Sequence, residues 1–307
     1  MAQKMTSIGG QALIEGIMMR GPKRTAMAIR NPEGEIVLEE FDTFVSTRSS
    51  ILKKPFIRGI FNMYDSLKTG YKCLMRSAEI AGLDEEEDKA KAEKENKFIH
   101  AVLMPLAVIL AVALGVGLFM YLPTLLYKLI GKAIPAIQNQ RILQSVFEGL
   151  FRIVIFVGYV WAISLMKDIR RTFMYHGAEH KTIFCYEQGL PLTVENVRPQ
   201  RRFHPRCGTS FLILVLLVGI VISIFIPTDI PTILRVAIKL LCLPLVVGIG
   251  YELIKLAGRK NNLLTRIISA PGVWLQHLTT REPDDSMIEC AIAAMEKVIP
   301  EDGSDRW

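Results

Sequence analysis

The sequence predicts a mainly α-helical, polytopic membrane protein with four transmembrane helices and a small cytosolic α+β N-terminal region. Half of its 307 residues are hydrophobic, and the mean hydropathy is +0.31. A soluble chain of this length carries a lower apolar fraction. The apolar excess gathers in four blocks, and basic residues crowd only some of the connections between them.

The blocks are 101–122, 146–166, 211–226 and 233–254. Each is near the length that crosses a hydrocarbon core of ~30 Å, the third being short unless its flanks join it. The connection 167–210 carries Lys167, Arg170, Arg171, Lys181, Arg198, Arg201, Arg202 and Arg206. In contrast, 131–145 carries only Lys132 and Arg141, and 227–232 carries no base. The positive-inside bias then places 167–210 and both termini in the cytosol. The net charge of +7 follows from this topology, and no specific nucleic-acid motif accompanies it. MAQKMTSIGGQAL lacks the parts of a cleaved signal peptide, so the first span is expected to act as the insertion signal. Five scattered cysteines give no disulfide framework and suit a reducing compartment.

Three regions follow: 1–97 N-terminal, 98–257 spanning with the loop 167–210, and 258–307 C-terminal. In the first, TAMAIR, NPEG and EIVLEEF read as two strands around a turn. Phe56, Ile60, Met63, Leu67, Tyr71 and Leu74 then recur at helical spacing, giving an amphipathic helix that lies on the hairpin or on the membrane surface. The charge run 84–97 reads as a solvated helix or linker. Near the end, SMIECAIAAMEKVI is a short amphipathic helix with Asp284, Asp285 and Ser286 as cap candidates. No internal repeat is visible, and the spans offer few polar residues, which argues against an inverted-repeat transporter.

The chemistry concentrates just after the second span. His176-Gly-Ala-Glu179-His180 fits H-x-x-E-H, which on a helix sets two imidazoles one above the other, able to share a metal ion. In inverted-zincin peptidases the intervening Glu is the general base. A second cluster, FHPRCGTS, precedes the third span and offers His204 and Cys207. All four together would make a closed structural zinc site, and three of them would leave a water position open. Zinc, or another divalent transition metal, is the expected ion.

Glu252, near the cytosolic end of the fourth span, is a further candidate ligand or else an ion-paired anchor. In SIGGQALIEGIMMRGPKR, Gln11, Glu15 and Arg20 are polar points in an apolar, glycine-broken segment. It reads as a packed connector, with these three as candidate substrate contacts or supports of the site. Glu148 with Arg152, and Arg235 with Lys239, are i,i+4 pairs that read as interfacial anchors.

GGQALIEGIMMRGP, YHGAEHKTIFCYE, FHPRCGTSFL, GYELIKLAG and WLQHLTTREPDD, in this order, resemble the YqhQ family of bacterial membrane proteins, over nearly the whole chain. That family is catalogued as a domain of unknown function and described as a predicted metal-dependent enzyme. The resemblance implies a bacterial inner-membrane location and draws suspicion to Gln11, Glu15, Arg20, His176, Glu179, His180, His204, Cys207 and Glu252. The expected function is a zinc enzyme, a hydrolase acting beside the membrane lipid. The alternative is a non-enzymatic factor whose metal or polar cluster is structural and whose basic surface meets the protein-insertion machinery, a ribosome or anionic lipid.

Overall fold

A computed structural model describes residues 5–43, 54–83, 103–137, 140–259 and 262–306. The charge run 84–97 and His100 lie outside them. Two compact units emerge, one made of 1–83, 159–214 and 247–307, the other of 84–158 and 215–246.

The first unit is built on a four-stranded antiparallel meander: β1 (Gly9–Leu13), β2 (Gly16–Arg20), β3 (Arg24–Arg30) and β4 (Ile36–Asp42), in that spatial order. β3 and β4 are the expected hairpin. β1 and β2 replace the expected connector: pairing Leu13 with Gly16 leaves a two-residue turn, and Glu15 takes a left-handed conformation there (φ 50°). Alternation along the strands gives the sheet two apolar faces. Leu13, Met18, Met27 and Ile29 pack on α1 (Ile57–Ile80) through Cys73, Leu74 and Ile80. Ile17, Met19, Ala26 and Ala28 face α5 (Lys167–Glu187) and α10 (Asp285–Val298). α10 starts at Asp284, whose Oδ1 accepts from the Met287 amide at 2.9 Å, the expected cap. An unexpected helix, α9 (Leu263–Thr279), precedes it and opens with a capping box between Asn262 and Thr265.

Among the described residues, three helical runs are long and apolar enough to cross a membrane: Pro105–Ala133, Arg141–Ile163 and Thr232–Ala257. The first comprises α2 (Met104–Val116), a π-helical turn (Gly117–Tyr121) and α3 (Leu122–Ala133). The others are α4 (Arg141–Ile163) and the body of α8 (Thr232–Arg259). Leu106, Ile109, Val112 and Leu114 stand exposed, as on a lipid-facing helix. The fourth expected span falls in α7 (Gly208–Ile224), separated from α5 by the short α6 (Val194–Val197). Its 17 residues are apolar but short of the ~20 that a bilayer core requires.

The second unit corrects the reading of its charges as interfacial anchors. Glu148 and Arg235 are fully buried, and Lys239 is 6% exposed. Glu148 does not pair along its own helix. Lys239 Nζ reaches its Oε2 at 2.5 Å and Arg235 Nε its Oε1 at 3.3 Å, while Gln144 donates to Oε1 at 2.7 Å. A carboxylate enclosed by two cations costs little to keep; removing it leaves both uncompensated. Replacing Glu148 with leucine is therefore expected to destabilise the chain by about 3–5 kcal/mol. Thermal unfolding in detergent checks this, and an unchanged midpoint would refute it.

Candidate metal centre

α5 lies on the sheet with Tyr175, Ala178, Ile183 and Cys185 in the shared core. That fixes its rotation and turns His176, Glu179 and His180 to one side. Gly177, between them, is where the chain leading into α10 crosses the helix: a Cβ there would stand 2.0 Å from the Arg281 carbonyl oxygen. The close crossing brings the Thr279 carbonyl to His176 Nδ1 at 2.8 Å. His180 Nδ1 meets the Arg202 carbonyl at 2.5 Å. Since a carbonyl only accepts, both rings hold a proton on Nδ1, and in the neutral form each offers its Nε2 lone pair.

Both lone pairs face Cys207. His176 Nε2 is 3.1 Å from its Sγ, and the His176, His180 and Cys207 ligand atoms lie within 4.8 Å of one another. His180 Nε2 is buried without a hydrogen-bond partner among the described residues. Burial alone would raise the Cys207 thiol, but the two imidazoles outweigh it and hold Cys207 well below its ordinary value. Burial likewise opposes charge on His176, yet the sulfur beside it prevails and pushes this histidine up to about 9. Two imidazole nitrogens and a thiol sulfur converge here, with the outer ring nitrogens fixed by carbonyls, and these are donor types that zinc sites use.

Glu179 stands beside these groups. Its Oε1 accepts from the Gly10 amide at 3.1 Å, and its Oε2 is buried with no partner among the described residues. Burial raises this carboxyl above its usual range, against the pull of His176 and His180. β1 approaches so closely that a Cβ on Gly10 would be 2.9 Å from the Glu179 side chain. Here the glycine has a reason the sequence did not disclose. A cavity of about 350 Å³ opens beside the site, lined by Gln11, Arg20, Glu179, His180, Arg206 and Cys207 among others.

His204 lies at the cavity but outside the converging set. Its backbone is clamped by Gln276, which accepts from the amide and donates to the carbonyl, both at 2.7 Å. Its ring turns to Glu187 at 3.7 Å and Arg206 at 3.2 Å, and burial lowers its pKa to about 4. Arg206 in turn pairs with Glu187, which also accepts from the Thr6 amide at 2.9 Å. Among the described residues, then, the candidate ligand atoms of His176, His180 and Cys207 converge without His204. Glu252 is elsewhere, bound by Arg58 through two contacts of 2.8 and 2.5 Å. Glu15 pairs with Arg171 (Oε2 to Nη2 at 2.6 Å) and Tyr175 rather than lining the cavity. Gln11 and Arg20 do line it, with Arg20 donating to Ser66 at 3.3 Å.

Sequence reasoning missed Gly10, Glu187, Arg206 and Gln276. Arg206 sat inside FHPRCGTS and Gln276 inside WLQHLTT, so both were within reach. Glu187 likewise closed the motif YHGAEHKTIFCYE, where only its helical register with His180 pointed to it.

The family model described as "Protein of unknown function (DUF1385)" matches residues 54–301. "Uncharacterized protein YqhQ" of Bacillus subtilis (strain 168) is 36% identical over 294 residues, covering 95% of this chain and 92% of the relative. No solved structure matches the chain.

Proposed function

Since the chain belongs to the DUF1385 family, the family of YqhQ, we propose that it is a zinc-dependent membrane hydrolase working at the cytosolic membrane interface. The observation that carries this reading is the convergence of exactly three ligand atoms beside a buried carboxylate oxygen that has no partner among the described residues. His176, His180 and Cys207 would hold the ion, which when bound would supply Lewis-acid polarisation of a carbonyl or phosphoryl oxygen and make water more acidic.

The chain's own residues supply the rest. Glu179 takes the proton of the attacking water on Oε2 and returns it to the leaving group, its raised pKa bringing it nearer the pH at which both transfers proceed. The Gly10 amide holds the other oxygen and thereby orients the carboxylate. Thr279 and Arg202 hold the tautomers of the histidines. Of the two arginines that line the cavity, Arg206 is paired with Glu187, whereas Arg20 has no ion pair among the described residues and suits a substrate with an anionic group such as a peptide carboxylate or a phosphate.

Glu179→Gln keeps the shape and the ligands and removes the base. Zinc content is expected to stay at the wild-type level, while any function that His176→Ala abolishes falls by about 10²–10⁴. The competing reading, an ion that only staples 198–207 to α5, predicts that Glu179→Gln retains full function. The measurement is complementation of a deletion strain, with zinc content determined on the same preparations.

A further inference from the structure

Among its described residues the second unit encloses three cations and one carboxylate, Arg152, Arg235, Lys239 and Glu148, and the cations are not equally provided for. Glu148 is shared by Lys239 and Arg235. Arg235 also donates through Nη1 to the Ile226 and Pro227 carbonyls at 2.7 and 2.6 Å, just past the end of α7, where a helix carries its negative partial charge. Lys239 has the Thr124 hydroxyl at 3.0 Å as well. Arg152 has no counter-anion in contact among the described residues. Its Nε donates to the Phe119 carbonyl at 2.8 Å, in the π-helical turn, and neither Nη has a hydrogen-bond partner among the described residues.

Arg152 is nonetheless 9% exposed, and it is the twelfth of the 23 residues of α4. At 1.5 Å per residue it stands ~17 Å from either helix end. A full charge with most of its donors unused, held at that depth, is costly unless something anionic meets it. Beside it on α7 are a glycine and, four residues on, a buried serine. A Cβ on Gly219 of α7 would lie 3.8 Å from Arg152 Nη1, so glycine leaves the guanidinium uncovered on that side. One turn further along α7, Ser223 is 3% exposed and its Oγ has no partner among the described residues. The packing of Ile220 against Gly149 confirms that this stretch of α7 faces α4.

We propose that α4 and α7 bind an oxyanion between them, a phosphate or carboxylate group, through the Nη groups of Arg152 and the hydroxyl of Ser223. The fork of a guanidinium matches two oxygens of such a group, and the hydroxyl donates to one of them. Arg235 and Lys239, only partly neutralised by Glu148, add a favourable field. The group could arrive as the headgroup of an anionic lipid or as a free anion.

The test uses the full chain in neutral detergent and in nanodiscs, reading the thermal unfolding midpoint. The probes are inorganic phosphate at constant ionic strength, and phosphatidylglycerol against phosphatidylcholine. A ligand that binds only the folded state raises the midpoint with concentration. The wild type is expected to respond to at least one probe. Ser223→Ala, which leaves Arg152 and its Phe119 bond intact, should need roughly tenfold more of it, the worth of one hydrogen bond to a charged group. Gly219→Leu, which covers the guanidinium, should abolish the response. A response to phosphate identifies a free anion, and one to phosphatidylglycerol alone a headgroup. If the wild type answers neither probe, or both variants answer as it does, the proposal is overturned.

Discussion

Purified in neutral detergent, the wild-type chain is expected to carry about one equivalent of zinc, and Cys207→Ala none above background. The thiolate is the only anionic ligand of the three, and the two histidines alone make a weak site. The loss in affinity should exceed the roughly 10–100-fold that follows removal of an outer partner of a ligand. Elemental analysis, then competition with a chromophoric chelator, gives both numbers. Wild type and variant holding equal zinc would dismiss the centre. Because thiolate and neutral imidazole are the binding forms, occupancy should also fall as the pH is lowered.

The metal-free chain should show a different pH dependence. His176, raised from 6.5 to about 9, contributes stability that is complete below 6.5 and is lost as the pH rises through about 9. Cys207, held below its ordinary value, contributes stability that is complete above that value and is lost as the pH falls through the lowered one. The imidazolium–thiolate pair therefore supports the stripped protein between those limits and fails on both sides. Urea unfolding of chelator-treated protein across the pH range checks this, and a curve that keeps rising above pH 9 would contradict it.

Gly177→Ala is expected to be as damaging as the loss of a core side chain, though it adds one methyl group. Alanine favours a helix over glycine by about 1 kcal/mol. Against that, the new Cβ would sit 2.0 Å from the Arg281 carbonyl oxygen, which is backbone and has no rotamer to yield. Overpacking of this kind costs about 1–3 kcal/mol and here wins. The crossing chain must lift, and the Thr279 carbonyl leaves His176 Nδ1 as it does so. Zinc affinity should then fall roughly 10–100-fold alongside the unfolding midpoint. A variant at least as stable as the wild type with unchanged zinc affinity would show that the crossing is looser than drawn.

Much of the candidate site was legible because its signal is local. His176, Glu179 and His180 are brought together by helical periodicity alone, and Cys207 stood out as a thiol beside a turn. The fate of His204 and Glu252 was not legible, since it depends on which partner wins in space. Glu187 and Arg206 turn the ring of His204 aside, and Arg58, almost two hundred residues before Glu252, takes that carboxylate. β1 and β2 escaped for a related reason. Their glycines and polar residues have weak strand propensity, and only pairing with β3 and cover from α1 and α5 make them strands.

The helical character, the four apolar blocks, the β3–β4 hairpin, helices α1 and α10 and the H-x-x-E-H pair can all be read from the sequence, although only three of those blocks form helices of membrane-spanning length among the described residues. Each is written in periodicity or composition over a few consecutive residues. Packing is what brings the side chains of His176, His180 and Cys207 together without His204, makes Gly10 and Gly177 places of close approach, and puts Glu148, Arg235 and Lys239 in the interior. Those outcomes are set by close approach between segments far apart in the chain, where side chains compete for partners and a single Cβ changes which contacts fit.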